Sequence, residues 1–366
     1  MDNADALLAA NDIDADRLGE VLRAGGYATA ADAVIAIDAS IIGTGQVGEN
    51  VRCRLTWDPP ASTGAEGHRP GSVVVKVPSS SELSRATAAA TSSYVREVGF
   101  YRDIRPHVAI RTPHAYHVSE NREQNDFLLV MEDIAPAAAG DQLAGCSLDE
   151  ATLAVDTIAG LHGPTWGRLD FAELDWLAEP GPQRVADLTG LFGAVYPGFV
   201  ERFTPTLTPD ELDAGAFIHD RFEAILNARP LDLCLVHGDF RLDNVLFATG
   251  PGAPPITTVD WQTVTLGSGP SDVAYFLSAA IDPDARRADE RALVERYHQR
   301  LTEHGVGIGF DDAWLGYRLG SAAGYIMAVI ASQIVTQTER GDAMFATMAR
   351  GSAHQLIDLD LEGALD

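Results

Sequence analysis

One short polar segment of the chain holds the side-chain types that transfer of a phosphoryl group from a nucleotide requires. It runs His237-Gly-Asp-Phe-Arg-Leu-Asp-Asn244, and Asp260 follows it after a turn rich in proline and glycine. Such a transfer needs one carboxylate that orients the attacking hydroxyl and accepts its proton. It also needs a carboxamide and a second carboxylate that hold magnesium ions against the phosphates. The segment therefore indicates phosphoryl-transfer chemistry.

The alternative is an ordinary turn, because His-Gly-Asp alone is a common turn sequence in which Gly supplies an unusual φ. The flanking runs favour chemistry. Residues 233–236 and 245–247 predict buried strands on either side of the segment, and residues 256–259 predict a third strand that leads to Asp260. Apolar strands around a short polar loop hold side chains rigidly, as a metal site requires.

The two motifs resemble those of the aminoglycoside phosphotransferase-like small-molecule kinases, and within them the ecdysteroid-kinase-like and choline-kinase-like branch. The resemblance runs from about Ile42 to the C-terminal helices. Asp260-Trp-Gln262 has the form that the metal-binding motif takes in that branch. It implies an α+β, two-lobed, protein-kinase-like fold. The small N-lobe would contain an antiparallel sheet and one main helix, and the larger C-lobe would be mostly helical.

The resemblance also assigns roles to individual residues. It implies that Asp239 is the catalytic base and that Asn244 and Asp260 are the ligands of Mg²⁺. Arg241 stands two residues beyond Asp239, where protein kinases place a lysine toward the transferred phosphate, and an arginine there can stabilise developing charge. A loop-surface arginine is an equally good interpretation of Arg241.

Lys76 is the single lysine of the chain, since the other 25 of its 26 lysine and arginine residues are arginine. It lies in a β-branched run, residues 72–77, that predicts a central strand. A compact ammonium group on a strand is how kinases hold the α- and β-phosphates, and a forked guanidinium fits that position poorly. A strand-edge lysine facing solvent is the alternative, and the scarcity of lysine favours function.

A lysine that binds phosphates needs a carboxylate to orient it, and Glu97 is the candidate. It lies in residues 81–104, whose composition favours a helix with apolar side chains on one face. The Glu-x-x-Phe-Tyr pattern also resembles the N-lobe helix of the family. The alternatives are that Glu97 makes only a surface ion pair, or that Glu82 takes the role, although an acidic residue is expected at a helix start.

Gly43, Gly45 and Gly48 form a G-x-G-x-x-G pattern, which is a weak signal alone because it also opens a Rossmann domain. The residues that follow alternate apolar and polar as far as Trp57, which predicts a strand instead of the helix that a dinucleotide fold needs. No Gly-Lys-Ser/Thr sequence is present. We therefore expect a glycine loop between two strands that covers the phosphates of a nucleotide.

The order of elements predicts two lobes and a hinge. Residues 1–130 are expected to form the nucleotide-binding lobe, residues 131–136 the hinge, and residues 137–366 the catalytic and substrate-binding lobe. The backbone of Met131, Glu132 and Asp133 is expected to pair with adenine, and an ordinary edge strand is the alternative for this segment.

The second lobe begins with a capping box from Ser147 to Glu150. Its helix is expected to end at Gly163, and further helices are predicted near residues 186–203, 209–228, 288–304 and 311–334.

Two further residues are expected to support the polar segment without taking part in the reaction. His237 is predicted to bond loop backbone or a loop carboxylate, because Asp239 is better matched to the role of base. Asp272 is predicted to cap a helix or to brace the loop from beneath.

Composition bounds the partners. A formal net charge of −27 disfavours nucleic acid and anionic membranes as partners, and is compatible with a cationic substrate or simply with solubility. Three scattered cysteines and an acidic N-terminus without a signal-peptide pattern predict a cytoplasmic protein. The longest apolar stretch, residues 322–335, is too short to span a bilayer and predicts a buried helix.

These features predict an ATP-dependent phosphotransferase that moves the γ-phosphoryl group to a hydroxyl of a small molecule, with Mg²⁺ and an aspartate base. A catalytically degenerate ligand-binding fold and an aminoglycoside-modifying kinase proper are the alternatives. A protein kinase is disfavoured, because Asp-Phe-Gly and Ala-Pro-Glu segments are missing and His-Gly-Asp replaces His-Arg-Asp. The sequence leaves open the acceptor, ATP against GTP, the oligomeric state and any role in drug resistance.

Overall fold

The structure is a computed structural model that describes residues 13–43, 47–59, 69–177, 181–228 and 231–366. Within these residues the chain forms two compact units. The first comprises the chain as far as Pro106 together with Thr112–Ala135, and the second comprises His107–Arg111 together with Pro136–Asp366. The first unit is built on an antiparallel sheet and the second is mostly helical. The predicted α+β class is therefore confirmed.

The sheet of the first unit has five strands in the order β1-β2-β3-β5-β4, and each neighbouring pair is antiparallel. The strands are β1 (Ala33–Ile42), β2 (Gly48–Asp58), β3 (Ser72–Pro78), β4 (Ala115–Asn121) and β5 (Asp126–Glu132). The valines of β3 at positions 73, 75 and 77 are fully buried. The strand predicted around Lys76 is confirmed, and it is central in the sheet.

In the described residues three α-helices accompany this sheet, α1 (Ala15–Ala24), α2 (Glu82–Thr91) and α3 (Ser93–Gly99), and a π-helical turn over Phe100–Ile104 continues α3. The single helix predicted over residues 81–104 is wrong, because the chain breaks at Ser92, which has a left-handed backbone with φ of 55°. The hydroxyl of Thr91 bonds the carbonyl of Thr87 at 2.8 Å and the hydroxyl of Ser93 at 2.6 Å. Such local bonds from short polar side chains compete with the helix.

The second unit carries the polar motifs on two small sheets. β7 (Cys234–Val236) pairs with β10 (Thr265–Gly267), and the other sheet has the order β6-β8-β9. Its strands are β6 (Ala137–Ala139), β8 (Val245–Ala248) and β9 (Ile256–Thr258). Residues 237–244, which we call the polar loop, join β7 to β8, and Asp260 comes two residues after β9. The strands predicted on either side of the polar loop are confirmed.

A helix of the second unit lies at each predicted segment, but residues 311–334 form two helices instead of one, and the helices over residues 339–358 and 361–365 were not predicted. The helices of this unit are α4 (Leu148–Thr165), α5 (Pro182–Phe203), α6 (Pro209–Asn227), α7 (Gly269–Ala280), α8 (Pro283–Glu303), α9 (Phe310–Gly320), α10 (Ala323–Ile334), α11 (Glu339–Asp358) and α12 (Leu361–Leu365). A large apolar core joins α5, α6, α10 and α11. In the described part of the chain, every helix is too short or too polar to cross a membrane.

The capping box of α4 is confirmed, but the predicted end of this helix at Gly163 is wrong, because α4 continues to Thr165. Gly163 serves close packing instead. A Cβ atom there would lie 2.4 Å from the Cβ of His304, so only glycine lets the two segments approach this closely.

Candidate functional site

The backbone of the polar loop is held from α7 by Asp272. This carboxylate is buried, and it accepts hydrogen bonds from the N–H groups of His237 at 2.6 Å and Gly238 at 3.0 Å. The imidazole of His162 lies 3.2 Å from its Oδ2. The brace predicted for Asp272 is confirmed and the helix cap is wrong, because Ser268 occupies the cap position of α7.

His237 ties the polar loop to the segment that carries Asp260. Its Nε2 lies 3.0 Å from the carbonyl oxygen of Val259, and its Nδ1 accepts the N–H of Asp239 at 3.3 Å. Gly238 has φ of 78°, and a Cβ there would lie 2.9 Å from the carbonyl oxygen of Thr263. The supporting role predicted for His237 is confirmed, and the two motifs pack directly against each other.

The carboxylate of Asp239 is the point on which donors converge. Tyr275 donates its hydroxyl to Oδ1 at 2.7 Å, and Asn244 donates its side-chain Nδ2 to Oδ2 at 2.9 Å. The Nε of Arg241 lies 3.0 Å from Oδ1 and 3.2 Å from Oδ2. A carboxylate surrounded in this way has one orientation, which is what a group that must receive a proton at a defined place requires.

Arg241 links this carboxylate to Asp243, which its Nη1 contacts at 2.5 Å. The arginine side chain is 17 % exposed, so the loop-surface interpretation is wrong. Burial lowers the pKa of Arg241, but the charges of Asp239 and Asp243 outweigh it and raise the pKa above its ordinary value. Arg241 is therefore a permanent positive charge beside Asp239.

Sequence reasoning missed two residues of this cluster. Tyr275 gave no signal of its own, although it stands three residues after Asp272 and so shares its helical face. Gln142 is buried in the segment after β6. Its Oε1 accepts the N–H of Leu242 at 3.0 Å and its own N–H bonds Asp243 at 3.1 Å. No local pattern marks a glutamine that meets its partners 100 residues away.

Asn244 and Asp260 fit the needs of a magnesium ion, which prefers oxygen ligands. Both amide hydrogens of Asn244 are directed at Asp239, to its backbone oxygen at 2.9 Å and to Oδ2 at 2.9 Å. Because both partners are acceptors, the side-chain oxygen of Asn244 must face the other way. The backbone carbonyl of Asn244 accepts the N–H of Val259 at 3.0 Å, which places Asp260 one residue from this contact.

Asp260 has a left-handed backbone with φ of 68°. For any residue that has a side chain, this conformation costs free energy. Backbone strain of this kind concentrates at functional sites. Its Oδ2 accepts a hydrogen bond from Gln262 at 3.2 Å. The backbone is therefore strained at the same residue whose carboxylate is the expected metal ligand.

A pair of substitutions separates this strain from the chemistry. Asp260→Gly and Asp260→Ala both remove the carboxylate, and we expect both to abolish magnesium-dependent nucleotide binding. Only glycine relieves the positive φ, so the glycine variant should be more stable than the alanine variant by about 1 kcal/mol. Urea unfolding measures the difference. An alanine variant as stable as the glycine variant would show that the left-handed conformation does not exist in solution.

In the first unit, the structure brings Lys76 and Glu97 together. The Nζ of Lys76 lies 2.8 Å from Oε1 and 2.7 Å from Oε2 of Glu97, and both residues are buried, at 6 % and 2 % exposure. The pair is therefore not a surface ion pair. Glu82 is exposed in the first turn of α2. A Cβ on Gly48 would lie 3.3 Å from the Cε of Lys76, so the glycine leaves room for the lysine stem.

The glycine segment lies between two paired strands, as the sequence predicted. β1 and β2 are antiparallel neighbours on its two sides, and Gly43 has φ of 73°. Gly45 lies outside the described residues, and Gly48 opens β2. The hydroxyl of Tyr94, on α3, donates to the carbonyl oxygen of Val47 at 2.5 Å. The end of the glycine segment is thus anchored to the helix that carries Glu97.

The expected adenine-binding segment continues from β5. The edge-strand alternative is wrong, because β5 lies between β3 and β4. Met131 pairs with Val74, and the N–H of Glu132 donates to the carbonyl of His114 at 2.8 Å. Asp133 accepts hydrogen bonds from Arg52 at 3.0 Å and Ser72 at 2.8 Å. An adenine would therefore bond backbone groups other than the Glu132 N–H.

Comparison with known proteins shows which family and which fold the chain resembles. A model of the ecdysteroid kinase-like family matches residues 215–309, a stretch that contains both polar motifs. No sequence match was found among curated proteins. The predicted resemblance is confirmed by the family model together with the structures below.

Three solved structures illustrate the similarity. A candidate aminoglycoside phosphotransferase from Ralstonia eutropha JMP134 has 17 % identity and a TM-score of 0.54, over 94 % of this chain and 97 % of that one. Plasmodium vivax ethanolamine kinase has 10 % identity and a TM-score of 0.51, over 86 % and 82 %. The GDP complex of aminoglycoside 2'-phosphotransferase-IIIa has 12 % identity and a TM-score of 0.52, over 87 % and 94 %. The kinase-like fold is therefore confirmed.

Proposed function

We propose that this protein is an ATP-dependent phosphotransferase that moves the γ-phosphoryl group to a hydroxyl of a small molecule. The observation that supports this most directly is the Asp239 carboxylate, held by three donors in a loop that also presents the side-chain oxygen of Asn244. The names of the structural neighbours point the same way, since they include an ethanolamine kinase and an aminoglycoside phosphotransferase bound to GDP.

The first unit supplies the nucleotide-binding groups of this proposal. Lys76, oriented by Glu97, would hold the α- and β-phosphates, as the lysine of a kinase does. The segment with Gly43, Gly45 and Gly48 would cover the phosphates. The backbone of residues 131–133 would bind adenine. A buried ion pair is an expensive way to stabilise a sheet, so its presence in β3 and α3 favours a role in binding.

Asn244 and Asp260 would hold Mg²⁺ through their side-chain oxygens. When bound, the ion would neutralise the negative charge of the phosphates. The backbone strain at Asp260 and the fixed direction of the Asn244 amide are the features of this chain that fit such a ligand pair.

The proposed reaction needs one proton transfer and one displacement. The acceptor hydroxyl donates its proton to the carboxylate of Asp239 while its oxygen bonds to the γ-phosphorus. The bond from that phosphorus to the bridging oxygen of ADP breaks, and ADP leaves. Arg241 would be a positive charge for the oxygens on which negative charge develops. Most of the rate enhancement would come from positioning and charge stabilisation.

A cytoplasmic location is part of the proposal, because the reaction draws on ATP. The three cysteines are free. Burial raises the pKa of the Cys53 thiol to about 11 and, with the charge of Glu150, that of Cys146 to about 12. Thiols that stay protonated at neutral pH are unreactive and suit a reducing compartment.

The experiment that tests the function combines binding and turnover. ATP with Mg²⁺ is expected to raise the midpoint temperature of thermal unfolding. The increase should be smaller when EDTA replaces the metal. ADP release should then be measured across amino alcohols, sterol-like alcohols, hydroxyacyl compounds and aminoglycosides. Stabilisation by the nucleotide without turnover on any acceptor would favour the ligand-sensing alternative. No response to ATP, GTP or Mg²⁺ would refute the proposal.

A further inference from the structure

Among the residues that the structure describes, Tyr275 is the donor to Asp239 that comes from outside the polar loop. It lies on α7, 36 residues from Asp239, and is 3 % exposed. An ionised carboxylate only accepts hydrogen bonds, so the tyrosine hydroxyl is the donor in this 2.7 Å contact. Burial, followed by the negative charge of Asp239, raises the pKa of Tyr275 well above its ordinary value. The hydroxyl therefore keeps its proton at neutral pH.

Tyr275 has its own helix, α7, on one side and α10 on the other. On its own helix it stands one turn after Asp272, which fixes the backbone of His237 and Gly238. On the other side lies α10, where a Cβ on Gly324 would come within 3.2 Å of the Tyr275 ring. One face of α7 therefore fixes both the backbone of the polar loop and the side chain at its centre.

The donors around Asp239 divide its two oxygens between them. Oδ1 receives the Tyr275 hydroxyl and Oδ2 receives the Asn244 amide, each at a short distance. The Arg241 Nε is shared between both oxygens at longer distances. With these three donors the lone pairs of the carboxylate are largely taken. An incoming hydroxyl can replace the contact of Arg241 with Asp239, because Arg241 still has Asp243 as a second partner.

We propose that Tyr275 is a positioning residue of the phosphoryl transfer, which fixes Oδ1 of Asp239 so that the carboxylate presents one defined edge to the acceptor hydroxyl. This inference rests on the proposed function and goes beyond it. Tyr275 does not exchange a proton in the reaction. The acceptor proton goes to Asp239, the acceptor oxygen bonds to the γ-phosphorus, and ADP departs with the electrons of the broken bond.

The contact itself is tested without any assay of activity. Protein with ¹³Cζ-labelled tyrosine gives one NMR signal for each of its nine tyrosines, and the Tyr275→Phe variant identifies the signal of Tyr275. Replacing the charged acceptor in Asp239→Asn should shift that signal and leave the signal of Tyr325 in place. An unshifted Tyr275 signal would overturn the proposal whatever the protein catalyses.

The role is tested by turnover, with Mg·ATP and the best acceptor of the panel, or with water as acceptor. Tyr275→Phe should lower kcat about tenfold at an unchanged KM for ATP, because it removes a hydrogen bond to a charged group. Tyr325→Phe is the matched control. It also loses the bond of a buried tyrosine, to the Glu211 carbonyl at 3.1 Å, far from the polar loop in sequence. Its kcat should stay within about twofold of wild type.

The two variants should lose similar thermal stability, so stability alone would not explain a difference in kcat. An unchanged kcat in Tyr275→Phe would overturn the positioning role. A wild-type protein without turnover on any acceptor would overturn both this inference and the proposed function. In that case, a shift of the Tyr275 NMR signal would show that the contact with Asp239 exists and that the proposed function is wrong.

Discussion

Asp239→Asn is expected to lower the turnover of ATP by about 10³-fold, the scale on which a positioned general base contributes. The variant keeps a polar side chain of the same shape, but it can no longer accept the proton of the acceptor hydroxyl. Nucleotide affinity should stay unchanged, because the expected phosphate and metal contacts come from Lys76, Asn244 and Asp260. Steady-state ADP release and calorimetric titration with Mg·ATP give the two quantities.

The local structure tolerates this change. The new amide can turn its oxygen to the Asn244 Nδ2 and its nitrogen to Tyr275, whose hydroxyl can rotate and accept. Arg241 keeps its contact with Asp243. Asp141→Asn is the control, since Asp141 is half exposed, pairs across the surface with Arg340 and accepts the backbone N–H of Leu143. Should Asp239→Asn retain most of the wild-type rate, Asp239 is not the base.

Lys76→Met is expected to lower the free energy of unfolding of the first unit by about 3–5 kcal/mol, because it leaves the Glu97 carboxylate buried without its counter-charge. It should also weaken ATP binding and slow turnover, because the ammonium group for the α- and β-phosphates is gone. Hydrogen exchange of β3 and α3 peptides in urea measures the stability of this unit, and calorimetry measures the affinity.

Two further variants make the result interpretable. Lys76→Met combined with Glu97→Gln removes both charges and should recover most of the lost stability but none of the ATP affinity. Arg54→Met breaks the exposed ion pair with Asp38, on the same sheet, and should change stability by less than about 1 kcal/mol. Equal ATP affinity and turnover in Lys76→Met and wild type would remove Lys76 from the proposed site.

Periodicity and spacing predicted the elements around the polar loop because they are local properties. The apolar runs before and after residues 237–244 had to be strands once they were bounded by turn residues, and the structure has strands there. The alternation after Gly48 likewise predicted β2. Helix ends were less predictable. Gly163 looks like a stop in sequence, but its role is to admit His304, a partner 141 residues away.

The break at Ser92 was not predicted, although its cause is local in the sequence. Composition over residues 81–104 favours a helix throughout. The hydroxyl of Thr91 nevertheless bonds the carbonyl of Thr87 and the hydroxyl of Ser93, and the chain turns at this point. Average propensity over a window does not register such local competition.

The order of the amino acids is enough to identify the side chains available for the proposed phosphoryl transfer, since it contains the spacing of Asp239 and Asn244 and the single lysine. The way in which those side chains are held depends on how the helices and strands pack. Tyr275 reaches Asp239 from another helix, and Lys76 meets Glu97 inside the first unit. A hydrogen bond or ion pair depends on distance and direction in space, and residues far apart in the chain reach the required geometry only when their elements pack.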